Sequence, residues 1–249
     1  MSLYDAIFAR RSCRKFSQAP VDEDRLIHLE KYLSLIRALD PKIRTRFELV
    51  RADEVRLGGA FLVSAPYYLV LYSEEAEGSR ANAGYLMEQA VLYLTVYGVA
   101  TCYQGGVDKK TLPAAPAGME PVITVAFGLP EGSLSGSRAR RKKLEDVCVF
   151  RDGAGSDVRK IVEAARIAPS ALNRQPWFFV AAPGRIHVFC RPTPLMKGQE
   201  FDCGIALLHL MLAAEENWYT PKVVQVKKLP DKLPARMSYV GTVLLETVR

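Results

Sequence analysis

Four short stretches of the chain gather residue types suited to holding a ligand. Ala9–Phe16 reads ARRSCRKF; its Arg10, Arg11 and Arg14 can neutralise a phosphate-like anion through charge-assisted bonds, with the Ser12 hydroxyl beside them. Ala168–Trp177 reads APSALNRQPW, in which Ser170, Asn173 and Gln175 offer donors and acceptors for the edge of a pyrimidine-like ring. Pro169 ends the helix before it, so Pro169, Ser170, Ala171, Asn173 and Gln175 fall on a turn. Gly98–Gly106 reads GVATCYQGG: Tyr103 and Gln104 lead into Gly105 and Gly106, where backbone can approach a planar ligand closely. Arg138–Lys143 reads RARRKK, the densest positive run, and includes Arg140, Arg141 and Lys142. Each stretch taken alone has a plainer account: a solvated basic helix face, a polar connection, a glycine turn after a helix, and a basic loop in water.

The elements that position these stretches repeat. Residues 24–36 have helical apolar spacing, ending near Asp40-Pro41, and are followed by a strand at 46–50. Residues 157–165 form a second such helix, ending before Pro169 and followed by a strand at 177–181. Strands at 65–72 and 185–190 come next, and then two long apolar helices open at Asn82 and Asp202, running to about Gly98 and Tyr219. Terminal strands at 122–128 and 241–246 close the two copies. The offset between copies is about 130 residues at the start and 120 later. The order helix, strand, strand, long helix, strand occurs twice, joined by the Gly/Ser-rich segment 132–137. This predicts an α+β fold of two pseudo-symmetric halves, residues 1–137 and 138–249, each with a mixed or antiparallel sheet flanked by helices. The long helices are expected to pack against each other.

Composition narrows the classes. Of the 249 residues, 49% are hydrophobic and 24% charged, which excludes a disordered, collagen-like or coiled-coil chain. The net charge of +7 suits an anionic ligand. No aromatic-interleaved or zinc-finger pattern accompanies the basic run, so nucleic acid is not the expected partner. The five cysteines form no CxxC pair, and none combines with His28, His187 or His209 at metal-ligand spacing, so no metal is expected. The N-terminus lacks the apolar core of a signal peptide, and Glu88 and Gln89 interrupt the apolar stretch 85–100. A cytoplasmic protein with reduced thiols and no membrane partner is therefore expected.

Together, RRSCRKF, PSALNRQPW and the Gly-Gly loop resemble the nitroreductase family of FMN-dependent oxidoreductases, along nearly the whole chain. The resemblance implies that Arg10, Arg11, Ser12 and Arg14, Tyr103–Gly106, Arg140–Lys142, and Pro169, Ser170, Ala171, Asn173 and Gln175 line one FMN. Arg140, Arg141 and Lys142 then match a stretch that contacts the phosphate in relatives, with Lys143 where the family often has proline. It also implies NAD(P)H as electron donor and ping-pong transfer to a small acceptor such as a nitro compound, quinone or enone. The flavin does the chemistry, so no dedicated catalytic side chain is assigned. Segments 58–64 and 191–201 are the expected substrate contacts.

The chain departs from the family in how the motifs are distributed. The first half carries RRSCR and the Gly-Gly loop but has residues 39–47 at the PSALN position. The second half carries PSALN but has residues 219–226, without glycine, at the loop position, and RRKKL (140–144) at the RRSCR position. Complementary loss implies a fused pseudo-dimer with a single complete site, able to function as a monomer. Other flavin chemistries on the same fold, and a flavin-binding relative without catalysis, are the alternatives.

Overall fold

In the computed structural model, residues 1–132, 139–191, 198–231 and 236–247 are described. The joining segment beyond Gly132, Arg138 at the head of the basic run, and 192–197 of the second expected substrate segment lie outside them. The elements in order are α1 (Leu3–Ala9), α2 (Glu23–Leu33), β1 (Thr45–Arg51), β2 (Tyr67–Ser73), α3 (Ser79–Val96), β3 (Ala100–Gln104) and β4 (Glu120–Gly128). There follow α4 (Leu144–Val147), β5 (Cys148–Phe150), α5 (Ser156–Arg166), β6 (Trp177–Ala182), β7 (Arg185–Cys190), α6 (Glu200–Glu216), β8 (Tyr219–Val224) and β9 (Ser238–Thr247). The chain divides into two compact units, Met1–Ser79 with Leu86–Arg138, and Arg80–Tyr85 with Ala139–Arg249.

The repeat seen in the sequence is a repeat of topology. The first unit holds a sheet of order β1-β2-β4-β3, and the second one of order β5-β6-β7-β9-β8. Without β5, the second order is the first with its strands renumbered. Every pairing is antiparallel except β5 with β6, which is parallel. The α+β architecture is as the sequence implies. Three strands were not foreseen: β3 lies within the stretch read as the Gly-Gly loop, β5 follows the basic run, and β8 lies within 219–226. All three are short edge strands whose alternation is too brief to read by periodicity. The helix read over 24–36 stops earlier, at Leu33, with Ser34 as its C-cap and the Ser34 hydroxyl on the Lys31 carbonyl (2.7 Å).

Burial explains which elements form each core. β2 (YYLVLYS) is buried along its whole length, as a continuous apolar run requires. In α5 one face is apolar, with Val158, Ile161, Val162, Ala164 and Ala165 inside. Helix α6 is apolar all round and is buried nearly all round, His209 included; that imidazole Nδ1 pairs with the Ala164 carbonyl at 3.1 Å.

The tightest packing in the second unit lies between the first turns of α3 and α6. A Cβ at Gly84 would fall on the Phe201 carbonyl, and one at Gly204 on the Ala81 carbonyl. The contacts are reciprocal: Phe201 and Gly204 stand 120 residues after Ala81 and Gly84. Only glycine lets two backbones approach this closely. Gly204→Ala is expected to lower unfolding stability by about 3 kcal/mol, since added volume meets rigid backbone. Gly105→Ala, with open space around its Cβ and no left-handed φ, should change stability by less than about 0.5 kcal/mol. Chemical denaturation of the two variants checks both values.

Candidate functional site

In the first unit, the basic motif begins where α1 ends. A capping box between Ser2 and Asp5 starts that helix, and Arg10 is its C-cap. The arginines therefore lie on extended chain, not on a helix face. A parallel bridge joins Ser12 to Thr101, and the Cys13 N–H donates to the Thr101 carbonyl at 2.9 Å, laying the motif along β3. Burial pushes the Cys102 thiol up, against the pull of the nearby Arg14 guanidinium and, more weakly, of Arg10.

The three arginines have different roles. The Arg11 guanidinium folds back onto the carbonyls of Phe8 (3.0 Å), Ala9 (3.1 Å) and Arg10 (2.8 Å), closing the end of α1. Arg10 makes one long contact, 3.5 Å to the Ser12 hydroxyl. Arg14 is exposed and has no hydrogen bond or ion pair among the described residues. Arg10 and Arg14 thus remain available to an anion, while Arg11 fixes the segment that carries them.

The Gly-Gly stretch is divided in the same way. The Tyr103 hydroxyl donates to the buried Glu88 carboxylate at 2.6 Å. Gln104 is buried: its Oε1 accepts from the Val63 N–H (2.9 Å), and its Nε2 donates to the Cys102 and Tyr103 carbonyls, both 3.2 Å. A Cβ at Gly106 would come within 2.6 Å of the Ala60 carbonyl, so this glycine admits the 58–64 loop. That loop is tied down by Ala60 N–H to the Gly106 carbonyl (3.0 Å) and Asp108 N–H to the Gly58 carbonyl (2.8 Å). Of the paired glycines, Gly105 faces open space. Phe61, wholly exposed at φ 60° on the same loop, is a contact candidate that the sequence did not single out.

In the second unit, the structure brings Arg140–Lys142 and the 169–175 turn together. Helix α5 stops at Arg166, and the turn takes left-handed backbone at Leu172 (φ 48°), Asn173 (φ 56°) and Gln175 (φ 51°). For Leu and Gln that conformation costs about 1 kcal/mol or more each, and it persists only where surroundings over-determine it. They do so here. Asn173 Nδ2 donates to the Arg140 carbonyl (2.8 Å) and its Oδ1 accepts from Arg141 (2.7 Å). Gln175 Oε1 accepts from the Lys142 N–H (2.8 Å), and Lys142 Nζ donates to the Gln175 carbonyl (3.0 Å). Ser170 Oγ accepts from the Gln175 N–H at 2.9 Å. Arg141 also donates to the Ile167 carbonyl, at 3.1 Å. The Asn173, Gln175 and Arg141 side chains, expected to face a ligand, here build the turn, while Arg140, Ala171 and Leu172 are exposed.

Sequence reasoning missed Asp202. Its carboxylate is 4% exposed and accepts the Ala171 N–H at 3.2 Å on both oxygens, bracing the turn from behind. Burial pushes this carboxyl up to about 7, the Ala171 N–H acting in the opposite sense. Its position in the first turn of a helix was the only available signal, and that alone reads as ordinary capping.

A carboxyl whose folded pKa lies above its ordinary value binds its proton more tightly when folded. Its stabilising effect is full below about 4 and is lost as pH rises towards and through 7. Asp202→Asn keeps an acceptor for Ala171 and removes the charge. The variant is therefore expected to match the wild type near pH 4 and to exceed its stability above pH 7, by up to about 4 kcal/mol. Urea unfolding at a series of pH values checks the divergence; parallel curves for the two proteins would exclude it.

Comparison with known proteins places this geometry. The family model described as "Putative TM nitroreductase" matches residues 2–214. No curated protein sequence matches. The crystal structure of a "putative nitroreductase" from Thermotoga maritima superposes with a TM-score of 0.71 at 23% identity, covering 98% of this chain and 93% of that one. A nitroreductase family protein from Streptococcus pneumoniae gives 0.48 at 16% identity, over 59% of this chain and 98% of its own. A nitroreductase with bound FMN from Bacteroides fragilis gives 0.46 at 15%, over 57% and 95%. Among the described residues no helix is long and apolar enough to cross a membrane. With a family model spanning most of its length, and the fold shared end to end with the Thermotoga protein, the chain belongs to the nitroreductase family that this model describes.

Proposed function

We propose that the protein is an FMN-dependent oxidoreductase of nitroreductase type, holding one FMN per chain and able to work as a monomer. The observation that carries the reading is the pairing of Arg10–Arg14 along β3. It sets two uncommitted guanidiniums beside the strand that leads into the open Gly105. The donor set fits the group: a phosphate dianion needs arginines free of ion pairs, and an isoalloxazine needs backbone without side chains in its path. The residues that the family resemblance implies for FMN are Arg10, Arg11, Ser12, Arg14, Tyr103–Gly106, Arg140–Lys142, Pro169, Ser170, Ala171, Asn173 and Gln175; of these, Arg11 acts by holding the segment that carries Arg10 and Arg14.

The chemistry supplied by FMN, when bound, is hydride transfer in two half-reactions, from NAD(P)H and then to a nitro compound, quinone or enone. The protein's own part is binding and electrostatics. Arg10 and Arg14 offset anionic charge, Arg11 fixes the direction of their segment, and Gly105 leaves room for a flat ligand. The 169–175 turn presents backbone groups held rigid by its own side chains, so little order is lost on binding. Loop 58–64, carrying Phe61, is the proposed acceptor contact.

Arg14→Ala is expected to weaken FMN binding about tenfold or more, the loss of one charge-assisted contact. Arg11→Ala is expected to retain most of the FMN and to lose some stability at the end of α1 instead. Flavin content after gel filtration, with FMN fluorescence titration of the apoprotein, checks both. Equal retention by wild type and Arg14→Ala would overturn the assignment.

A further inference from the structure

Inside the first unit, between α2 and the C-terminal end of α3, lies a cavity of about 230 Å³ that the proposed flavin chemistry does not use. Its inner wall is aliphatic: Val21, Leu26, Leu94 and Val99, each at most 3% exposed. The Tyr93 ring, which also lines it, stacks on Tyr32 of α2 with centroids 4.0 Å apart and planes 13° from parallel, and meets Tyr97 at 4.7 Å. Arg25 Nη1 donates to the carbonyl of Tyr97, the C-cap of α3, at 3.2 Å. These contacts hold the two helices at a spacing that their aliphatic side chains do not fill, and close-packed interiors leave few voids of this size.

Size and lining together select an occupant. An apolar cavity of about 150 Å³ takes a benzene ring, so this one takes a single ring with one or two further heavy atoms. The aliphatic wall offers no hydrogen bond, and a polar body buried against it would be desolvated without compensation. Polar atoms are available at the mouth, where Arg25 and His28 line the cavity and are exposed. Charge there does not favour an anion. Asp22 caps α2, and Glu23 and Asp24 follow in its first turn, so carboxylates outnumber the Arg25 guanidinium beside them. The His28 ring makes no hydrogen bond among the described residues. A hydroxyl, which both donates and accepts, matches either nitrogen of an imidazole.

We infer that this cavity is a binding site for a neutral, single-ring phenol, its ring against Leu26, Leu94, Val99 and the Tyr93–Tyr97 pair and its hydroxyl on His28. None of these residues is among those assigned to FMN, so the site stands without the flavin reading.

The test is calorimetric titration of the full chain with phenol, benzoate and toluene. Phenol is expected to bind saturably at about one equivalent per chain, and benzoate at least about tenfold more weakly. Val99→Phe places a ring in the empty space and is expected to abolish phenol binding with the circular dichroism spectrum unchanged. Should that variant fold poorly, His28→Leu at the exposed mouth decides: phenol is expected to weaken about tenfold while toluene binds as before. Phenol binding that is the same with and without added FMN separates this site from the proposed acceptor contact, and it would persist in a protein that takes up no flavin. No saturable phenol binding, benzoate bound as tightly as phenol, binding that requires FMN, or phenol affinity unaltered by His28→Leu would each overturn the proposal.

Discussion

A backbone that turns left-handed at Leu172, Asn173 and Gln175 survives only because Arg140–Lys142 runs beside it and satisfies its polar groups. Much of the second unit serves that one requirement. Helix α5 ends at Arg166 and delivers the chain to the turn, and the Arg166 guanidinium reaches the Lys142 carbonyl at 2.7 Å, locking the basic segment from its other side. Asp202, at the start of α6, holds the Ala171 N–H from within. Beyond the turn, Trp177 opens β6, buried between its neighbours. Gln175 and Asp202 are buried, so removing a partner of either would leave a buried polar group unpaired.

The first unit reaches a comparable result by another route. Its ligand-facing candidates lie on a strand-like segment zipped to β3, and rigidity comes from Arg11 at the end of α1 and from Gln104, which binds the 58–64 loop to the strand. In both units the polar side chains of a motif divide into those that build the frame and those left uncommitted. Arg10, Arg14 and Arg174 belong to the second group. Rigid framing lowers the entropy lost when a ligand binds, which is the advantage such division confers.

The duplicated architecture was legible because its signals are long. Two apolar helices, two amphipathic ones and the buried strands β2 and β7 recur at nearly constant offset, and hydrophobic periodicity reads such elements well. The edge strands β3 and β8 were read as loops because five or six residues carry too little alternation. The site was legible as motifs but not as roles. Nothing in RRSCRKF says that Arg11 bonds its own helix while Arg14 stays free, since both depend on where α1 ends to within one residue. Nor does PSALNRQPW show that Asn173 and Gln175 face Arg140–Lys142, a partner more than thirty residues away in sequence. Asp202 was invisible for a different reason: its significance lies in burial, which depends on how α6 meets the turn.

The account centres on a single flavin per chain, and the visible spectrum of the purified protein, with flavin quantified after denaturation, tests that most directly. Bound FMN at one equivalent per chain, bleached on addition of NAD(P)H, is the predicted result. Two equivalents, or a colourless protein that takes up no added FMN, would contradict it.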